Sequence, residues 1–318
     1  MSLTKEPAAP TADSEQPPVI LSARRVTWAR RRVGFTRFVH QFRRHKGGMT
    51  GLGILLFFVA MAISAPLIWP RSDLEFTEVL NNPVLAPPSW TFWLGTDDHG
   101  VSVLAQICYG ARVSLLVGIV ASFVSMVIGT FVGIGSGHYR NWFGGLLLRI
   151  TDWFLVIPWL VLAVIVITVV GGGLPTTIIV IGITSWAGTA RLVRAQTLSI
   201  EGRPYLERAK VLGTGDWKQM TRHILPNVMP LVLANATLTV SIAILTETTL
   251  AFLGLGDYTT PSWGKILENA YDGSAMIKDA WWWVLPPGVC VIFVVLSFTL
   301  MSRALETIFD PRLQNELS

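Results

Sequence analysis

Apolar residues along this chain come in long blocks, not at the alternating spacing of a strand or the one-sided spacing of a soluble helix. Six blocks stand out: Gly51–Trp69, Val113–Gly135, Trp153–Val170, Thr176–Ala190, Val228–Leu253 and Val284–Met301. A helix rising 1.5 Å per residue needs about 20 residues to cross a hydrocarbon core of about 30 Å. Five blocks reach or approach that length, while Thr176–Ala190 is short and carries Gly182, Thr184, Ser185 and Trp186. The pattern predicts an all-α integral membrane protein with six transmembrane helices.

Composition agrees: 51% of the residues are hydrophobic, 14% are charged and the mean hydropathy is +0.52, too little charge to clothe a soluble globule of 318 residues. The placement of charge then orients the spans. With the N-terminus inside, the pieces 1–50, 136–150, 191–227 and 302–318 face the cytoplasm and hold 21 of the 25 Lys/Arg. The outer pieces hold only Arg71, Lys265 and Lys278, with Arg112 at the mouth of the second span, as the positive-inside rule requires. Removing the fourth span would carry the seven cations of 191–227 to the wrong side, so it is kept. The net charge of +5 is therefore a topology signal, and nucleic acid is set aside as a partner because the cations border apolar spans. The first 50 residues contain no apolar signal-peptide core. Cys108 and Cys290 are isolated and imply neither a metal site nor a disulfide framework.

Residues 1–23, rich in Pro, Ala, Ser and Glu, are expected to be disordered. In the basic segment 24–50, Phe35, Phe38, Val39 and Phe42 fall on one face of a helix. That segment is either a helix lying on an anionic leaflet or a flexible basic tail that fixes orientation. The first span occupies 51–70 and the outer segment 71–111 comes next; a five-helix core covers 112–302, with an outer loop at 254–283 and a cytoplasmic C-terminal piece at 303–318. Trp90, Trp93, Trp263 and the run Trp281-Trp282-Trp283 sit near span ends, where tryptophan forms the aromatic belt of a bilayer interface or a docking surface for an external protein. Pro158 is expected to kink the third span, and Gly129 with Gly133 forms a small-x-x-x-small pair suited to close helix contact.

Few residues could carry chemistry. Glu247 is the one ionisable side chain within the six blocks. It is either a functional carboxylate in the translocation path or a helix-end group bonded to nearby hydroxyls (Thr246, Thr248, Thr249) or to a partner subunit. A single acid argues against proton or sodium coupling, which normally uses chains of acids or broken-helix ion sites. Asp97-Asp98-His99 reads as a loop turn, because three adjacent residues do not easily converge on one ion. No Ser/His/Asp or Cys/His arrangement is present, and Gly264-Lys265 lacks the remaining residues of a phosphate-binding loop. No catalytic residue, cofactor site or metal site is assigned, and any ATPase must be a separate chain.

The polar interval from Arg191 to Pro226 is the remaining feature. Glu207 suits the first turn of a short helix, and Gly213 suits the position after its end, where φ is positive. Asp216 is expected to cap a second helix that Pro226 stops before the fifth span. The result is a compact, charged hairpin on the cytoplasmic side, a socket for something outside the bilayer.

Glu207-x-Ala209-x-x-x-Gly213 followed by Ile224-Leu225-Pro226 resembles the coupling loop of binding-protein-dependent ABC importer permeases, with Arg208 in place of a family alanine. Leu94-Gly95-Thr96-Asp97-Asp98-His99-Gly100, Tyr109-Gly110-Ala111-Arg112-Val113-Ser114-Leu115, Glu247 with Phe252-Leu253-Gly254-Leu255-Gly256, and Phe309-Asp310-Pro311-Arg312 resemble the dipeptide/oligopeptide/nickel branch. The likeness covers about residues 40 to 312, in the order of the C-type subunit. It implies a type I, MetI-like permease fold in a bacterial inner membrane. It also implies a homologous second permease, two cytoplasmic ATPase subunits or one ATPase heterodimer or fusion that binds ATP-Mg, an extracytoplasmic solute-binding lipoprotein and a peptide substrate. Glu207, Ala209, Gly213, Asp216, Leu225 and Pro226 would couple the ATPases to the spans. The alternatives are the same architecture importing nickel or another small solute, an ATP-independent secondary transporter or channel, and a membrane scaffold.

Overall fold

The computed structural model describes residue 36 and residues 38–74 and 81–309. The tail 1–23, most of the basic segment including Phe35, and the C-terminal residues 310–318 therefore lie outside the described residues. Residues 38–41 are helical and belong to a unit separate from the bundle, which begins at Phe42.

The bundle is helical, with one isolated bridge between Thr96 and Ser102 among the described residues. Its elements are α1 (Lys46–Ile68), a 3-10 turn (Arg71–Leu74), α2 (Val103–His138), α3 (Trp142–Val156), α4 (Trp159–Val170), α5 (Leu174–Thr184) and α6 (Trp186–Glu201). They continue with α7 (Pro204–Val211), α8 (Asp216–Gln219), a π-helical turn (Met220–Ile224), α9 (Leu225–Phe252), α10 (Trp263–Asp272) and α11 (Trp281–Phe309). Among the described residues, five helical stretches are long and apolar enough to cross a membrane, or six if the bent pair α3–α4 counts as one.

Three boundaries differ from expectation. Pro158 does more than kink the third span: α3 and α4 meet at 90°, with Ile157 extended as the residue before a proline must be. The fourth span does not end at Ala190. α5 and α6 run on through Ser185 as one stretch, Leu174–Glu201, so Arg191 and Arg194 are helical and the link to the next span shrinks to 202–215. Pro226 stops nothing, because Asp216–Phe252 is a single 37-residue helical stretch. The π turn explains this: Leu225 N–H reaches back to the Met220 carbonyl, a five-residue step that widens the helix just before the proline ring enters.

Helices α2 and α6 pack along an extended interface, and glycine makes the close approach possible. An added Cβ at Gly129 would lie 2.7 Å from the Trp186 carbonyl; at Gly133, 2.6 Å from the Ala190 carbonyl; at Gly137, 2.8 Å from Thr197 Cβ. The small-residue stripe thus runs one turn longer than the pair expected, and lets two backbones approach where lipid supplies no hydrophobic drive between helices.

At the end of the bundle away from 202–215, α10 and the segment 81–102 form a cap with a tryptophan core. Trp263 and Trp283 are fully buried and Trp282 is 8% exposed, so these are not belt residues as expected. Trp263 Nε1 donates to the Ile107 carbonyl at 3.1 Å, and Trp282 Nε1 to the Thr96 carbonyl at 3.2 Å. Trp90, Trp93 and Trp281 remain exposed.

Gly133→Ala is expected to lower the unfolding midpoint of the detergent-purified protein, at an overpacking cost of about 1–3 kcal/mol. Gly145→Ala, whose Cβ would enter open space on α3, should leave the midpoint unchanged or raise it slightly.

Candidate functional site

The hairpin lies where α2, α6 and α9 end together. Arg203 begins α7 with extended backbone and Pro204 takes the first helical position, where its missing N–H costs no bond. Leu206 and Ala209, three residues apart, face inward; Leu206 joins Ile200, Ile224 and Val228 in one apolar cluster, with Leu225 against its edge. Glu207 is exposed in the first turn. Gly213 has φ +75°; its N–H bonds the Lys210 carbonyl at 2.9 Å and Thr214 N–H bonds the Ala209 carbonyl at 3.0 Å. This pair of bonds is the Schellman closure, and it needs a residue that tolerates the left-handed region.

Asp216 does not cap the second helix. Gly215 holds the cap position without a side-chain bond, and the Asp216 carboxylate instead lies 3.4 Å from His138 Nε2. The other nitrogen of that ring, Nδ1, is 2.5 Å from Glu201 Oε1, and the second Glu201 oxygen accepts from Lys210 Nζ. His138 ends α2, Glu201 ends α6, and Lys210 and Asp216 stand on either side of the Gly213 turn. Glu201 is only 3% exposed and His138 7%, so neither can fall back on water. The network pins the hairpin to two long helices. Along the chain His138 is one of five scattered histidines and Glu201 an unremarked loop acid. Each closes a long helix beside the glycine-punctuated turn, but their pairing spans 63 positions and no local spacing announces it.

The exposed face of the hairpin is apolar as well as charged. Val211, Leu212 and Trp217 are 88%, 84% and 68% exposed around the turn.

Glu247 stands apart, 22 residues beyond Leu225 on α9 and thus roughly 30 Å along the helix. It is buried: Ser114 Oγ on another helix donates to Glu247 Oε2 at 3.0 Å, and the side chains of Ser262 and of the neighbouring Thr248 lie against the same carboxylate. Thr246 and Thr249 turn away to carbonyls of their own helix. Ser114 Oγ also accepts from Trp263 N–H at 3.3 Å, which ties α2, α9 and α10 together at this point.

Asp97, Asp98 and His99 do bring donor atoms within 4.8 Å of one another, closer than their adjacency suggested. Their bonds are nonetheless those of a turn. Asp97 Oδ1 accepts from His99 N–H at 2.9 Å and Val101 N–H at 2.8 Å, while Oδ2 accepts from Gln106 Nε2 at 2.6 Å. Burial pushes the Asp97 carboxyl above its ordinary range, and these bonds only partly offset it. At Asp257 the balance is reversed: burial raises the carboxyl, but bonds from Thr259 and from Leu174 N–H hold it below the usual range at the start of α5.

Residues 110–315 match the model of the family described as binding-protein-dependent transport system inner membrane component. The chain belongs to that family. Residues 35–88 match the N-terminal transmembrane domain of oligopeptide transport permease C. A di/tripeptide transport system permease protein DppC of Pseudomonas aeruginosa is 36% identical over 87% of this chain and 92% of its own length. A dipeptide transport system permease protein DppC of Bacillus subtilis is 33% identical over 86% and 84%. A glutathione transport system permease protein GsiD of Pectobacterium atrosepticum is 30% identical over 89% and 93%. Among solved structures, an inward-facing MetNI methionine ABC transporter aligns with a TM-score of 0.52 at 20% identity, covering 64% of this chain and 94% of that one. That likeness establishes a MetI-like fold. The chain is thus a multi-pass permease subunit of the ABC importer type, a class that works with an ATPase and a solute-binding protein.

His138→Ala is expected to strip Glu201 of its ring partner and to destabilise the hairpin by about 3 kcal/mol. Hydrogen exchange over 204–219 should accelerate more than over the α10 cap.

Proposed function

We propose that this chain is one of two permease subunits of an ATP-driven importer of di- and oligopeptides, and that it forms half of the pathway. The observation that carries the reading is the hairpin: pinned from below through Glu201, it presents Val211, Leu212 and Trp217 at its tip beside Glu207 and Arg208. An apolar tip with a charged rim suits a protein groove, and a partner ATPase that binds ATP-Mg is the occupant the family provides. This chain then does no bond chemistry itself. The peptide assignment rests on relatives whose names specify di- and tripeptides, with nickel kept as the second cargo.

Coupling arises from the continuous helix. ATP-driven closure of two ATPases would move the hairpin, and Asp216–Phe252, about 55 Å of helix, would carry that motion to the end where Glu247 meets Ser114. The π turn at Met220–Ile224 is the softest place on that arm, since its bonds depart from the α pattern. Glu207, Ala209, Gly213, Asp216, Leu225 and Pro226 shape the peg and its junction with the arm. On this proposal both termini and the hairpin are cytoplasmic in a bacterial inner membrane, the second permease is homologous, and a solute-binding lipoprotein docks on the cap at the far end.

Glu207→Ala and Gly213→Pro should each cut ATP-driven trialanine uptake into proteoliposomes by at least tenfold while ATP hydrolysis continues and the protein still inserts. Leu212→Glu should weaken retention of the ATPase during purification. Full uptake by the first two variants would refute the coupling role. Thermal shift of the solute-binding partner with trialanine against nickel decides the cargo.

A further inference from the structure

The end of the bundle opposite the hairpin contains a cavity of about 790 Å³, the size range of small-ligand sites. Of the four cations placed at that end by the sequence, Arg71, Arg112 and Lys265 line it, and Lys278 does not. Such grouping is unexpected in segments otherwise nearly free of Lys and Arg.

Lys265 is committed: its Nζ lies 2.6 Å from Glu268 and 4.8 Å from the centre of the Tyr258 ring. Asp97 also borders the cavity, but its oxygens are taken by two backbone N–H groups and Gln106. Arg112 leans on the Tyr109 ring at 5.8 Å, and among the described residues no carboxylate pairs with it or with Arg71. Two exposed guanidinium groups therefore face one cavity, and among the described residues neither is paired with an acid. A guanidinium fork matches a carboxylate in shape and charge. Leu116 and Ile266 offer an apolar wall beside it, and Val113, Leu174 and Thr260 are shared with the narrow cleft that reaches Glu247.

We propose that this cavity is an entry subsite for the translocated solute, in which Arg71 and Arg112 bind the free carboxylate of an incoming peptide before it passes toward Glu247. The proposal rests on the peptide-import reading above and adds the chemical group that the permease itself recognises.

The test uses the assembled transporter in nanodiscs without its solute-binding protein, so that recognition by the permease is read alone. Radiolabelled trialanine should bind, and trialanine amide, which lacks the carboxylate, should compete about ten- to a hundredfold less well. The pair Arg71→Gln with Arg112→Gln should weaken trialanine by a similar factor and abolish the distinction between acid and amide. Arg112→Lys, which keeps the charge, should retain most of the affinity, and Lys278→Gln should change nothing. Equal binding of acid and amide by the unaltered complex overturns the subsite. So does phosphatidylglycerol retention that depends on both arginines without trialanine binding, since the clamp would then hold a lipid headgroup. Absence of ATP-driven trialanine uptake by the complete, unaltered system would instead overturn the peptide-import reading.

Discussion

A carboxylate removed from water must find donors, and this bundle is organised around two that did. Glu201 and Glu247 are each 3% exposed, near opposite ends of the helices they join. An uncompensated charge at such depth costs several kcal/mol, so the elements that supply donors are not free to drift. Glu201 gathers the ends of α2 and α6 and the two sides of the hairpin turn. Glu247 gathers α2, α9 and α10 through the hydroxyls of Ser114 and Ser262. α2 contributes to both sites through His138 and Ser114, and the continuous helical stretch Asp216–Phe252 contributes through Asp216 and Glu247, so two long helices connect the hairpin with the cap.

Glycine supplies the second condition. Long helices in lipid gain little from burying leucine against leucine, so contact depends on close approach of backbones. The stripe at Gly129, Gly133 and Gly137 places α2 on α6 closely enough that a methyl group would strike a carbonyl. That approach is what brings His138 and Glu201 to the same depth. Packing and electrostatics are therefore one arrangement: the glycines set the distance and the ion network uses it.

The family motifs gain a physical meaning from their meeting place. Leu94–Gly100, Tyr109–Leu115 and Glu247 meet at two tryptophans: Thr96 accepts from Trp282 Nε1, and Ser114, which donates to Glu247, accepts from Trp263 N–H. Gly95, at φ +69°, allows the loop to pass under Trp282, and Gly110 leaves room for Trp263. These segments build a folded cap over the long helices, with the arginine-lined cavity against it.

Block hydropathy was enough to predict a helical membrane protein, and the polar interval between two blocks was enough to predict a hairpin there. Those properties depend on local composition summed over about 20 residues, which is what a bilayer selects. The positive φ at Gly213 was also legible, because a glycine after a short helix has one common use. Tertiary structure decided the rest. The break at Pro158 and the continuity through Pro226 are opposite outcomes for the same residue type, settled by whether a π turn could absorb the lost bond. The burial of Trp263 and Trp283, the pairing of His138 with Glu201 and the grouping of Arg71 with Arg112 all join residues tens of positions apart, and no spacing rule along a chain encodes such distances.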